Sequence, residues 1–417
     1  MTKILVDMVE RHADEAAFLW ELRERAWRSP LFELSDLLGL DRRLAANLEG
    51  IVLAGEVGLQ LCLHAQRRGK APELFPAVYA AAELGETMTL AELLVGAAKV
   101  PGGEEATVSA LSWLSAERAT VVLGELLSGD CPPALQRVGI GALAARREDP
   151  GPKLEEALRS ADGRCARGRR GRRGSWGGET LLPLLRSEAR LDESEAGAQA
   201  AWAAVLLGDT GVLPELWRAA SAGGSTAVAA ADLAVRCVEA PESAERLLEL
   251  SRAPGTLRAA LAGAAARGDS SCIPWVLAVM EREPTMARHA MWAVSTITGA
   301  LPVPPLAVRG PTDVPPDEAL RRAALDPWED LPAPIAAAWR AHWEEVGSRH
   351  APGERRLGGR QIDAAWLAHV LRAGRAPWRA SAAIEQMRAS AGDGLFPVHA
   401  PAPWQMARLS LPGTSGQ

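Results

Sequence analysis

One spacing recurs along the chain and limits its architecture more than any other feature. Pro183, Pro214 and Pro274 each stand six residues after a glycine, namely Gly177, Gly208 and Gly268. A short apolar run follows each proline: Leu184-Leu185, Leu216-Trp217 and Trp275-Val276-Leu277. The first two prolines are 31 residues apart and the next interval is 60, close to twice as long. A degenerate unit fills that interval around Pro241 and Leu247-Leu248. A period of this length with helical apolar spacing is the signature of stacked helix pairs, because each pair can hide its apolar face only against the next. The expected fold is all-α: a HEAT-like α-solenoid of antiparallel helix pairs with a C-terminal helical module.

Composition agrees with helix. Ala and Leu dominate, β-branched runs are scarce, and Ala, Leu, Arg and Glu are strong helix formers. Charge is unevenly spread. Residues 164–173 hold six arginines and no acid; removing them from a net charge of −6 leaves −12 on the rest. An acidic surface of that kind argues against general nucleic-acid binding. Five cysteines, at 62, 131, 165, 237 and 272, lie too far apart for a zinc or redox motif and read as reduced, buried thiols of a cytoplasmic protein. The N-terminus runs straight into Asp7, Glu10 and Arg11, unlike a signal peptide, and no apolar stretch approaches the roughly 20 residues of a membrane span.

The chain divides by composition into capping helices (1–40), helical repeats (41–299), a Pro-rich linker (300–335) and a Trp-rich helical module (336–417). Residues 3–28 have the periodicity of one amphipathic helix, stopped at Ser29-Pro30. Asp41 is the expected N-cap of a long helix to about Gln66. Short helices are expected over 73–84, 87–99, 104–114, 117–128 and 132–147, joined by loops short enough to force antiparallel neighbours. Helix pairs resume over 179–299. Nine prolines between 302 and 334 favour extended backbone, and helices follow over 335–347, 361–373 and 377–391, with a frayed tail from Pro412.

No catalytic, cofactor or metal site emerges. The seven histidines form no HExxH, and no GxSxG, Walker A or GxGxxG occurs. His12 and Glu15 share a helix face, an arrangement that suits a hydrogen-bonding pair better than a metal site. The acidic pairs Glu104-Glu105, Glu155-Glu156 and Glu344-Glu345 point apart on a helix and read as solvated faces. Two constellations could carry a partner. Arg167, Arg169, Arg170, Arg172 and Arg173 could contact nucleic acid or acidic lipid; the same Gly-rich run also reads as a frayed loop between repeats or a frameshift in a GC-rich gene. Trp339 and Trp343 share a helix face and, with Trp366, Trp378 and Trp404, form either the module's core or an aromatic hot spot for a protein.

The opening HADEAAFLWELRERAWRSP and LSDLLGLDRRLAANLEGIVLAGEVG, the array's exit ARHAMWAVSTITG, and the tail segments DPWEDLP, RAHWEEVGSRHAPGERRLGGRQI and GLFPVHAPAPWQ resemble an uncharacterised family of bacterial HEAT-repeat-like proteins. Its members are often encoded near type VI secretion or polymorphic-toxin genes. The resemblance implies an immunity or accessory role with no catalytic residue to carry over. The function expected is a non-catalytic, monomeric solenoid that binds and blocks a basic protein, such as a nuclease toxin. A helical-repeat nucleic-acid-binding protein or enzyme and a scaffold of a secretion apparatus are the alternatives.

Overall fold

A computed structural model describes residues 4–128, 131–149, 181–191, 194–308, 328, 331–390 and 394–410. The arginine run at 164–173 and the segment from Pro412 lie outside them. The described chain is all-α. In order its helices are α1 (Val6–Ala26), α2 (Leu34–Leu53), α3 (Glu56–Gln66), α4 (Ala71–Leu84), α5 (Thr87–Ala97), α6 (Gly103–Ser112), α7 (Ala116–Leu126) and α8 (Pro133–Arg146). Then follow α9 (Leu182–Leu191), α10 (Glu195–Leu206), α11 (Leu213–Ala222), α12 (Ala227–Ala234), α13 (Ala240–Arg252), α14 (Leu257–Arg267), α15 (Ile273–Arg282) and α16 (Ala287–Thr298). The last are α17 (Ala336–Val346), α18 (Ala364–Ala373), α19 (Ala376–Ala389) and α20 (Ala402–Ser410). Two antiparallel ladders of two residues per strand complete the described elements: β1 (Ala307–Val308) with β2 (Ala333–Pro334), and β3 (Arg356–Leu357) with β4 (Arg360–Gln361).

The helices fall into two compact units. One comprises Met1–Trp27, Glu33–Ala166 and His399–Gln417; the other comprises Arg28–Phe32 and Arg167–Val398. This division differs from the one drawn by composition. The last helix, α20, belongs with the first repeats, and the C-terminal helices α17–α19 belong with the later ones. Within each unit alternate helices stack in a row: α4, α6 and α8 in the first, α10, α12, α14 and α16 in the second. The odd-numbered helices between them pack against the row, as helix-pair repeats require.

The Gly-to-Pro spacing has a local cause. Gly208 ends α10 with φ +96, and Gly268 ends α14 with φ +69, a left-handed geometry that suits a residue without Cβ. An aspartate follows each. Asp209 accepts a hydrogen bond from the Gly211 amide (3.0 Å) and Asp269 from the Ser271 amide (2.9 Å), closing the 3-10 turns Thr210–Val212 and Ser270–Cys272. Buried Val212 and Cys272 anchor those turns. Leu213-Pro214 and Ile273-Pro274 then open α11 and α15, where proline gives up an amide that no helix bond needs. The sequence unit is therefore Gly-Asp-x-x-apolar-apolar-Pro, and the aspartate is the member that periodicity alone overlooks.

The long helix expected over 41–66 is two helices. Gly55, at φ +58, lets the chain turn by 117° between α2 and α3. Asp41 is not an N-cap. The helix begins seven residues earlier at Leu34, where Glu33 and Asp36 form a reciprocal capping box. The short helices expected from 73 to 147 and the three in the C-terminal region occur within a few residues of those bounds. No single described helix is long and apolar enough to cross a membrane.

Candidate protein-binding surface

A solenoid's inner helices are the usual place to look for a partner, but here the stacked rows are already covered by the chain itself. In the first unit α1 lies across the row. Trp20 stacks on Phe75 of α4 (5.4 Å between rings) and donates to Ser109 Oγ of α6 (2.9 Å). The Arg23 guanidinium sits over Trp113. α4 is buried on nearly every side, with Leu74 to Val78 and Ala80 to Ala82 at 0 % exposure apart from Pro76 and Tyr79.

α1 and α2 also capture the chain's far end. Arg23 Nε donates to Asp41 Oδ1 (2.7 Å), while its Nη2 donates to the carbonyls of His399 (2.9 Å) and Ala400 (2.8 Å). The second carboxylate oxygen of Asp41 accepts the Ala402 amide (2.5 Å) at the start of α20. Arg23 and Asp41 are 2 % and 1 % exposed, so the pair is deeply desolvated and every strong polar position on it is used.

In the second unit the segment from Gly353 to Ala389 covers the row. α19 packs on α10, and β3 packs on α14, α16 and α19. Eight consecutive residues of α16, Ala290 to Ile297, are buried, as only a helix covered all round allows. A cluster of five charged side chains holds the segment down. Arg236, just past α12, pairs with Asp232 (2.9 Å) and with Glu385 of α19. Glu385 also pairs with Arg355 and, at 3.4 Å, with Arg388. Burial alone would raise the Glu385 pKa, but the Arg236 and Arg355 charges and their hydrogen bonds outweigh it and hold it at about 2. Burial opposes the Arg236 charge too, yet Asp232 and Glu385 raise its pKa.

Backbone completes that dock. Arg356 donates its amide to the Gly268 carbonyl (3.0 Å), and Gly359 donates to Thr296 (3.3 Å). Both oxygens of Asp269 accept the Gly353 amide at 3.1 Å. A Cβ on Gly268 would stand 2.0 Å from the Arg356 carbonyl oxygen. The turn between β3 and β4 is Gly358-Gly359, both at positive φ, the residues a two-residue hairpin prefers.

The five tryptophans do not form one cluster. Trp339 is fully buried on α17 and out of a partner's reach. Trp343 packs on Gly347 and His350. Trp366 is sandwiched between Arg360 and His369 and donates to the Leu357 carbonyl. Trp378 stacks on Trp292 (5.4 Å) and donates to Thr296 Oγ1; Trp328 is the third member of that group. Trp404, under Arg408, belongs to the other unit. The expected grouping breaks because Trp343, Trp366 and Trp404 pack on residues close to them in sequence, whereas Trp378 packs on Trp292 of α16.

The pair expected between His12 and Glu15 is replaced by bonds to α2: His12 hydrogen-bonds Asn47 (2.8 Å) and Glu15 lies 3.6 Å from Arg43. No three His, Cys, Asp or Glu side chains among the described residues are grouped to hold a metal ion. Burial pushes the Cys62 thiol up to about 12 and Cys272 up to about 11, which leaves both protonated and unreactive at neutral pH.

Apolar side chains stay exposed at Ile4 to Val6 and Met8, on α2 (Leu53), α9 (Leu191) and α20 (Met406), and on α5 and α7. On α5, Met88 (76 % exposed), Ala91 and Val95 (59 %) form an apolar stripe at helical spacing, and Val121 of α7 (47 %) is also open. Between α5 and α7 lies a groove of about 100 Å³ lined by Leu90, Val121 and Val122 together with the charged Arg118 and Glu125. Glu86, Glu92, Glu117 and Glu125 are exposed in the same stretch of chain. The bases in the same stretch are Lys99 and Arg118, and Arg118 Nε and Nη2 both donate to the Ala82 carbonyl at the end of α4. Compared with known proteins, the chain matches no family model, no curated protein and no solved structure.

Proposed function

We propose that the chain is a helical-repeat protein that binds a basic protein, and that it does so from its odd-numbered helices rather than from the stacked rows. The observation that carries this reading is the self-covering of both rows, while α5 and α7 among other helices keep aliphatic side chains exposed beside carboxylates. An excess of acid outside residues 164–173 supports a partner of opposite charge, through steering and complementarity. The resemblance read from sequence adds a finer assignment, an immunity or accessory protein in the cytoplasm that occludes a secreted toxin such as a nuclease. No residue is assigned a catalytic role.

The test is affinity capture by the full tagged chain from its native host, followed by measurement of the captured protein's affinity across salt concentrations. The expected result is one stoichiometric basic protein whose affinity falls as salt rises. Capture of an acidic protein, binding indifferent to salt, or no protein at all would overturn the reading. Retention of nucleic acid that vanishes on deleting residues 163–175 would favour the nucleic-acid alternative.

A further inference from the structure

The Arg23–Asp41 clasp of the first unit holds a peptide by its backbone. Every polar bond that the pair makes to residues 399–402 goes to main chain: the His399 and Ala400 carbonyls and the Ala402 amide. The side chains buried there are short or spent within the segment. Ala400 and Ala402 are 3 % and 0 % exposed, and Gln405 donates to the Ala400 carbonyl (2.6 Å). Further along, Pro403, Met406, Ala407, Arg408 and Ser410 are exposed. The resident helix also brings a like charge, since Arg408 adds to burial in lowering the Arg147 pKa to about 10. Were the segment simply to leave, a desolvated ion pair would keep Arg23 Nη2 and Asp41 Oδ2 without partners, which is costly. Exchange for another backbone satisfies both again.

We propose that this clasp is a peptide-binding site, occupied at rest by the chain's own residues 399–402, into which a partner protein inserts a segment of its own. The occupant is a small residue, a proline and a second small residue that opens a helix, as Ala400-Pro401-Ala402 does here. Two of its carbonyls take Arg23 Nη2, and its first helical amide takes Asp41 Oδ2. Main-chain bonds give such a site its affinity, and the space left for alternate side chains gives its selectivity. Burial of Ala400 and Ala402 restricts those positions to alanine, glycine or serine. A second copy of this chain offers an identical segment and no gain over the tethered one, whose effective concentration is higher. The displacing segment therefore belongs to another protein, and the resident tail is an autoinhibitory contact. No basic partner is required, so this site stands or falls apart from the reading above.

The probe is a fluorescein-labelled peptide of residues 399–410, titrated with the full chain and followed by fluorescence anisotropy. It is expected to bind the parent chain weakly, because the tethered copy competes. Ala402→Pro in the chain removes the amide that Asp41 takes, at a helix-start position that proline tolerates, and so frees the clasp. The peptide is then expected to bind at least tenfold tighter. Adding Asp41→Ala to that chain is expected to lose at least tenfold again, although it frees the tail no less. Within the peptide, Ala402→Pro should abolish binding and Met406→Ala should change it less than twofold. Gln405→Ala in the chain is a second, milder release, expected to tighten the peptide severalfold. Hydrogen exchange over 399–410 checks the release, and exchange over 353–389 checks that the second unit stays folded. No tightening on release, equal binding with and without Asp41, or an Ala402→Pro peptide that binds like the parent would overturn the proposal. So would light scattering that shows a dimer dissolved by Ala402→Pro, which would make a second copy the donor.

Discussion

The two units cover their stacked rows by different means. In the first, Arg23 and Asp41 hold the main chain of the captured segment: two carbonyls and one amide, at His399, Ala400 and Ala402. In the second, the captured segment contributes side chains of its own, Glu385 and Arg355, and its backbone presses on glycines where no Cβ fits. A clasp on main chain asks for a path through space and for little else. A clasp on side chains and bare backbone asks for particular residues on both partners. Substitutions in 353–389 should therefore be read by the second unit more severely than substitutions of the same kind in 399–410 are read by the first.

The largest expected effects come from breaking either clasp. Glu385→Ala leaves buried Arg236 with Asp232 as its remaining carboxylate, and Asp41→Ala leaves buried Arg23 with the more distant Glu24 (3.5 Å), each at a cost of about 3 kcal/mol. Hydrogen exchange should separate them: Glu385→Ala should speed exchange in 353–389, and Asp41→Ala in 399–410. Equal opening of both segments in either variant would erase the contrast. The second clasp also has an acid limit. The folded pKa of Glu385, about 2, is depressed below its ordinary value of 4.5. The stability it contributes is thus complete above the unfolded pKa and is lost as pH falls from about 4.5 towards 2. Acid titration should open 353–389 across that window in the parent, whereas in Glu385→Ala the segment should already be open at neutral pH.

Glycines at one repeat position give a sharper comparison inside the second unit. Gly208 and Gly268 both end a helix at positive φ, but an added Cβ meets nothing within 4 Å at Gly208 and the Arg356 backbone at Gly268. Gly208→Ala should cost about 1 kcal/mol and Gly268→Ala about 2–4 kcal/mol, read by thermal or denaturant unfolding. Similar losses at the two sites would mean the hairpin does not press on Gly268. The paired aspartates repeat the comparison on a smaller scale. Asp209→Ala removes a turn bond and should cost about 1 kcal/mol. Asp269→Ala removes the same bond and strands the Gly353 amide, for about 2 kcal/mol. A reversed order would show that the capture of Gly353 contributes nothing.

Much of the fold was legible because helix pairs are local. Ala- and Leu-rich stretches bounded by glycine and proline mark the helices from 73 to 147, and the recurring Gly and Pro mark where α10 and α14 end and α11 and α15 begin. The break at Gly55 was harder to read, since an isolated glycine in a helical pattern is often tolerated. The Gly-Gly turn of the β3–β4 hairpin carried a usable signal in its sequence, masked by the helical setting around it. α20 and the placement of Asp41 carried none, because both depend on residues more than 350 positions apart meeting in space. The same holds for the tryptophans, whose helical spacing told which share a face but not which neighbour covers it. The open α5–α7 groove was likewise invisible, since exposure is what remains after every other surface has been assigned a neighbour.

Sequence by itself determined that this chain is helical, that its helices pair in a repeat near 30 residues, and how each repeat turns from one helix to the next. Those features depend on backbone chemistry within a few residues: left-handed glycines, amide-accepting aspartates and prolines at helix starts. Only the tertiary structure decided that distant segments close over the stacked rows and that aliphatic side chains on α5 and α7 stay exposed. The physical reason is that burial of Arg23, Asp41, Arg236 and Glu385 is favourable only when partners from distant parts of the chain arrive together, and no local pattern records that meeting.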